Sequence, residues 1–145
     1  MPLDTIGVVG AGQMGNGIAH VAASSGHEVL LADVEDRFLE KGLAVIEKNL
    51  DREVARGKRS GEEKRDTLSR IRSTTDLSKL EAANFVIEAV VEDETVKKGI
   101  FSRLDAICPP ATIFASNTSS ISITRLAAST KRPERFVGMH FMNPV

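Results

Sequence analysis

The sequence predicts an α/β fold: a doubly wound, mostly parallel sheet with helices on both faces. Two observations carry that expectation. Short, nearly continuous apolar runs of strand length alternate with longer stretches whose apolar residues recur at helical spacing. A cluster of glycines ends the first apolar run and opens the first helical stretch.

The elements follow in order. Thr5–Val9 reads as a buried strand. Met14, Ile18, Val21 and Ser25 recur at helical spacing, with Gly26 as a stop. Glu28–Ala32 reads as a second strand ending at Asp33. A long helix is expected next, with Leu39, Leu43, Ile46, Leu50 and Val54 on one stripe and charges opposite. Gly57, Ser60 and Gly61 break it, and a second charged helix leads to Ile71. Strands are expected over 71–75 and 85–90. Val96, Ile100, Leu104 and Ile107 mark a helix that Pro109 and Pro110 stop. A strand over 111–115, a short helix over 121–128 and a strand over 136–140 complete the pattern.

The chain has 145 residues, the size of one domain with a real core. Lys plus Arg number 19 against 20 Asp plus Glu, a net charge of −1 that gives no reason to invoke nucleic acid or an anionic membrane. No apolar run approaches membrane-spanning length. The first strand starts almost at once, leaving no room for a leader, so a cytoplasmic location is expected. Cys108 is the only cysteine and cannot form an internal disulfide. Beside two prolines it reads as a small apolar residue at a helix end. No metal site is assigned.

Gly10-Ala11-Gly12-Gln13-Met14-Gly15 matches G-x-G-x-x-G directly after a strand and at the opening of a helix. In that context the pattern points to a Rossmann-type dinucleotide-binding turn. Gly10 permits the tight turn, Gly12 lets the backbone approach a pyrophosphate, and Gly15 allows close helix–strand packing. The helix start offers free N–H groups and positive dipole to phosphates. Asp33 ends the second strand, 21 residues after Gly12. A carboxylate there can accept both ribose hydroxyls and would repel a 2′-phosphate, which favours NAD over NADP. A competing role for Asp33 is to cap the following helix.

Two further segments stand out: Ser116-Asn117-Thr118-Ser119-Ser120 and Gly138-Met139-His140-Phe141-Met142-Asn143-Pro144. With the segment from Val8 to Ala19 and Val86-Ile87-Glu88-Ala89-Val90-Val91-Glu92, they resemble the L-3-hydroxyacyl-CoA dehydrogenase family along essentially the whole chain. The resemblance implies hydride transfer from C3 of an L-3-hydroxyacyl-CoA to NAD, giving the 3-ketoacyl-CoA. The short-chain 3-hydroxybutyryl-CoA dehydrogenases are its particular likeness, with a place in fatty-acid or butyrate metabolism.

The same resemblance assigns residues. His140 takes the catalytic histidine's position and Ser119 that of the serine on the substrate hydroxyl. Glu92 and Lys97 fall on positions that contact NAD, and Asn143 supports the same site. Asn49 and Arg56 fall on positions that contact the CoA nucleotide, with arginine where the family has lysine. The chemistry suits these groups. Alcohol oxidation needs a base as hydride leaves, and imidazole can hold and return that proton. A serine hydroxyl can orient the substrate oxygen.

Each residue also has a structural reading. Ser119 could cap a helix, and Glu92 and Lys97 could be surface charges. His20 reads as helix surface and His27 as a turn residue.

Residues 1–145 are thus expected to be the NAD-binding domain. The family's glutamate partner of the histidine and its helical C-terminal domain, which shapes the acyl-CoA cleft and makes a homodimer, would lie beyond Val145. Weak or absent turnover by this chain alone is expected. The alternatives are a related hydroxy-acid dehydrogenase and a free-standing, non-catalytic NAD-binding module.

Overall fold

The computed structural model describes residues 4–145. Its strands are β1 (Thr5–Val9), β2 (Glu28–Ala32), β3 (Ile71–Thr74), β4 (Phe85–Glu88), β5 (Ile113–Ser116) and β6 (Phe136–Gly138). Its helices are α1 (Gln13–Ser24), α2 (Asp36–Ala55), α3 (Gly61–Ser69), α4 (Glu94–Ile107) and α5 (Ile123–Ala127), with 3₁₀ turns at Leu77–Ala82 and Pro133–Arg135. The strands form one six-stranded sheet in the order β3-β2-β1-β4-β5-β6, and every neighbouring pair is parallel. The α/β expectation holds, and the doubly wound order follows from it. The chain runs outward from β1 to β3, then returns to start again at β4. β1 and β4 are therefore neighbours whose following loops diverge, which opens a crevice at their carboxyl ends.

Strand alternation assigns the two faces. Ile6, Val8, Val29, Leu31, Phe85 and Ile87 point to one layer, where α1 and α2 bury Ile18, Ala19, Leu39, Ile46 and Leu50. Val9, Val86, Phe114 and Phe136 point to the other, against Leu80, Phe101, Leu104 and Leu126. There Phe101 packs edge-on to Phe136 with ring centroids 4.5 Å apart. Truncating such a buried ring costs about 3–5 kcal/mol.

Arg132 is the polar fastening of this second layer. Its guanidinium donates to the Asp105 carboxylate and to the carbonyls of Asp105, Cys108, Pro109 and Thr112, and lies 4.6 Å over the Phe114 ring. It thereby satisfies carbonyls left open where α4 ends. Cys108 is the C-cap of α4 and is buried, as expected of a packing residue. Burial raises its thiol pKa to about 11.

Several sequence expectations shift. In α1 the buried face is Gly15, Ile18, Ala19, Ala22 and Ala23, and Val21 is exposed. Small residues win that face because they let the helix lie close to the sheet. In α4 the buried residues are Lys97, Phe101 and Leu104: Leu104 is buried as expected, whereas Lys97 and Phe101 take the inner places expected of Val96 and Ile100, and Val96 is exposed. β4 ends at Glu88 and not at 90, because the Glu88 carboxylate itself takes the Val90 N–H. β6 ends at Gly138, so His140 lies in the loop beyond the strand. His20 is not helix surface. It packs toward α2 with Nε2 3.4 Å from Glu53, and burial lowers its pKa despite that carboxylate. His27 sits in the α1–β2 turn, its N–H donating to the Ala22 carbonyl.

Candidate active site

The glycine turn closes by backbone packing. Gly10 has φ +107°, and a Cβ there would lie 2.6 Å from the Ala89 carbonyl oxygen, across the crevice between β1 and β4. A Cβ on Gly15 would lie 1.7 Å from the Gly10 oxygen, so only glycine lets α1 start against the turn. At Gly12 a Cβ would meet nothing within 4 Å, because that backbone faces open space. Gly12 is the N-cap of α1, with no side-chain cap, and the first turn of the helix has no acidic residue. The positive helix end therefore faces the opening with no acidic side chain from its own first turn against it.

Asp33 does not cap α2, whose N-cap is Glu35. Its Oδ2 accepts the Ala11 N–H at 2.8 Å and its Oδ1 accepts the Val34 N–H at 2.7 Å. Each carboxylate oxygen keeps a lone pair, enough for a pair of vicinal hydroxyls. Asp33 thus joins the glycine turn to the end of β2.

A groove of about 660 Å³ runs along this turn. One wall is Gly10 to Gln13, the others come from Val34, Phe38 and Val45 and from Val91, Val96 and Ile100. Val34 and Val91 are 79% and 68% exposed, and Val96 also faces solvent. Exposed apolar side chains gathered on one groove mark a binding surface. Flat apolar walls, a diol acceptor and an open glycine at a helix start fit the base, ribose and pyrophosphate of a dinucleotide.

A second cavity of about 250 Å³ lies at the same sheet edge. Met14, Glu92, Asn117, Ser119, His140 and Asn143 are among its lining residues. The structure thus brings together Ser119 and His140, which come from the loops after β5 and β6. Asn143 joins them, its Oδ1 accepting from Gln13 Nε2 at 3.1 Å, which connects this cavity to the start of α1.

Glu92 is exposed on one side but not solitary. Its Oε2 accepts the Ser119 N–H at 3.0 Å and the hydroxyls of Ser119 and Ser120 at 3.2 Å. Its Oε1 accepts the Thr118 hydroxyl at 2.9 Å and lies 3.4 Å from Lys97 Nζ. Desolvation would raise its pKa, but the Ser119 N–H, the Thr118 hydroxyl and Lys97 together hold it down at about 2. Ser119 does not cap α5; Ser122 does.

Lys97 is buried, and its ammonium meets Glu88 Oε2 at 2.5 Å, the Val90 carbonyl at 3.3 Å and Glu92. Those three acceptors match its three protons. The His140 imidazole makes no hydrogen bond or ion pair among the described residues. Its loop is set by the next residue, whose N–H donates to Asn117 Oδ1 at 2.7 Å.

Asn49 and Arg56 are not brought to either cavity. Asn49 lies in the C-terminal half of α2, and Arg56 is its exposed C-cap. Sequence reasoning missed Glu88, Ser116, Asn117 and Thr118, all of which shape the second cavity. The signal was faint: Glu88 and Ser116 are polar residues closing otherwise apolar strand runs. They are register partners on adjacent strands, which only the sheet order reveals. It also missed Gly42, where α2 packs so close to the turn that a Cβ would lie 2.7 Å from the Ala11 oxygen. Among the described residues there is no cluster of histidine, cysteine and carboxylates that could hold a metal. None of the described helices is long and apolar enough to cross a membrane.

Residues 5–145 match the family described as 3-hydroxyacyl-CoA dehydrogenase, NAD binding domain. The chain is 55% identical over 140 residues to a 3-hydroxybutyryl-CoA dehydrogenase of Bradyrhizobium diazoefficiens, covering 97% of the chain and 48% of that protein. It is 48% identical to a probable 3-hydroxybutyryl-CoA dehydrogenase of Bacillus subtilis, covering all of the chain and 50% of that protein. Its fold matches the crystal structure of a 3-hydroxybutyryl-CoA dehydrogenase from Escherichia coli K12 with TM-score 0.97 and 47% identity, over 99% of this chain and 30% of that one. The chain thus spans about half the length of the curated relatives just named. Glycine turn, Asp33 groove and sequence match agree, and the chain belongs to the 3-hydroxyacyl-CoA dehydrogenase family as its NAD-binding domain.

Proposed function

We propose that the protein carrying this domain interconverts L-3-hydroxyacyl-CoA and 3-ketoacyl-CoA, acting on short chains such as 3-hydroxybutyryl-CoA in fatty-acid or butyrate metabolism. The observation that carries this reading is the meeting of Ser119 and His140 in one cavity beside the glycine turn. Binding of a dinucleotide alone requires neither.

NAD, when bound, supplies the hydride acceptor. His140 takes the proton of the substrate hydroxyl and returns it in the reverse direction. The one proton of the substrate hydroxyl points to His140, so the Ser119 O–H turns from Glu92 to donate to the substrate oxygen, in the alcohol and in the ketone alike. Glu92 stays anionic throughout the neutral range and keeps Ser119 in place through its N–H. Glu92 and Asn143 contact the cofactor. The resemblance gives Lys97 such a contact too. With its protons engaged internally, it serves the cofactor by holding Glu92.

Asn49 and Arg56, remote from the cavity, serve the CoA nucleotide. The remaining half of the relatives' length supplies the acyl-CoA cleft, a glutamate partner for His140 and a homodimer contact, and the enzyme works in the cytoplasm.

Assays on the chain and on the longer protein test this reading. NADH fluorescence titration of the chain is expected to saturate. In the longer protein, His140→Ala is expected to lower acetoacetyl-CoA-dependent NADH oxidation by about 10²–10⁴-fold with the NADH affinity kept. Unchanged turnover in that variant would overturn the reading. A free-standing NAD-binding module would bind NADH and ignore acetoacetyl-CoA.

A further inference from the structure

We propose that Glu88 is a positioning residue of this site: from beneath the cavity it holds Glu92 and Ser119 through two arms, one by way of Lys97 and one by way of Ser116. Its consequence for cofactor binding rests on the functional reading above; its consequence for Glu92 and Ser119 does not.

The placement follows from strand alternation. Glu88 shares a face of β4 with Val86, the face covered by α4, and Lys97 comes down on it from the first turns of that helix. Ser116 is its register partner on β5, so the Ser116 hydroxyl lies beside the carboxylate. Glu88 and Ser116 are both fully buried.

Each carboxylate oxygen feeds one arm. Oε2 takes the Lys97 ammonium at 2.5 Å and the Val90 N–H at 2.8 Å, and Lys97 Nζ continues to Glu92 Oε1. Oε1 takes the Ser116 hydroxyl at 2.5 Å. Having given its proton to Glu88, Ser116 Oγ is free to accept the Thr118 N–H at 3.2 Å, and the Thr118 hydroxyl then donates to Glu92 Oε1 at 2.9 Å. Both arms end on the same oxygen of Glu92. The other oxygen binds the Ser119 N–H and hydroxyl.

Stability alone is a poor account of this arrangement. A buried ion pair is often replaceable by apolar side chains of similar volume without loss of stability. Direction is what such a network adds, since the Lys97 ammonium and the Val90 and Thr118 N–H groups can only donate, whereas the Glu88 carboxylate can only accept. Glutamine at position 88 exposes the difference. Its amide has one accepting end and one donating end, so it can serve one arm and must oppose the other.

The test uses the chain itself and compares wild type, Glu88→Gln and Ser116→Ala. The readouts are NMR titration of the Glu92 carboxyl, hydrogen exchange of the Ser119 amide, NADH affinity and thermal melting. In Glu88→Gln the Glu92 midpoint is expected to rise from about 2 by about one pH unit or more. Ser119 amide exchange should quicken about tenfold, and NADH should bind about tenfold more weakly. Ser116→Ala cuts one arm and should move all three the same way by less.

A folded Glu88→Gln chain with the Glu92 midpoint, Ser119 exchange and NADH affinity all within twofold of wild type would overturn the proposal. If Glu88→Gln does not fold, unchanged values in Ser116→Ala overturn it and shifted values uphold it. If the wild-type chain does not bind NADH, the functional reading falls, while Glu92 titration and Ser119 exchange still decide the positioning role.

Discussion

The two cavities at the carboxyl edge of the sheet are built on opposite plans. The groove along the glycine turn is made mainly of backbone and apolar walls; of its two charged lining residues, Asp33 and Lys41, Asp33 is bonded to main-chain N–H. The cavity around Ser119 and His140 is made of side-chain hydrogen bonds that start in the buried layer at Glu88 and end at Glu92. The first is set by which residues lack side chains. The second is set by which donor faces which acceptor. A turn of that first kind tolerates no added atom at its tightest point, whereas a network of the second kind fails through a change of polarity at constant shape.

Three substitutions test that contrast, from the largest effect to the smallest. Gly15→Ala places a Cβ 1.7 Å from the Gly10 oxygen, so α1 must move off the turn. NADH affinity is expected to fall about 100-fold or more, with destabilisation of about 1–3 kcal/mol, read by fluorescence titration and urea unfolding. Wild-type binding would refute the claim that backbone packing builds the groove.

Asp33→Ala removes the acceptor shared by Ala11 N–H and Val34 N–H. A loss of about 1.5–3 kcal/mol in NADH binding is expected, roughly 10- to 150-fold, with little change in catalytic geometry once the cofactor saturates. A fall in kcat at saturating NADH in the longer protein would mean that the two cavities are not separable in this way.

Glu92→Gln keeps shape and removes charge. The folded carboxyl titrates at about 2, below its ordinary 4.5, so it stabilises the fold above pH 4.5 and loses that contribution as pH falls from 4.5 through about 2. The variant should therefore be less stable than wild type at neutral pH, and the gap should close across that acid window. Parallel pH–stability curves would show that Glu92 is not held by Ser119, Thr118 and Lys97. The stability effect is the smallest of the three, since Glu92 is partly open to water.

The strand pattern and the glycine spacing were enough to read the fold class, the turn and Asp33. Those features follow from local rules: period-two and helical periodicity, and the need for glycine where backbone meets backbone. Ser119, His140 and Asn143 were legible as positions through resemblance, and their meeting in one cavity depends on the order in which β5 and β6 join the sheet. Lys97 was legible as a residue but not as a buried one. In the first turns of α4 the buried places go to Lys97 and Phe101 where Val96 and Ile100 were expected, because the Glu88 carboxylate gives an ammonium a place inside that apolar periodicity does not register. His20 was misplaced for a related reason, since Glu53 reaches it from another helix.

By itself, the sequence determined the alternation of strand and helix, the glycine turn and the acid at the end of β2, because each depends on residues close along the chain. Only the tertiary structure decided which polar residues share a buried network. Glu88, Lys97, Ser116 and Thr118 come from three separate stretches of the chain, and the direction of their hydrogen bonds exists only once β4, α4 and β5 are packed together.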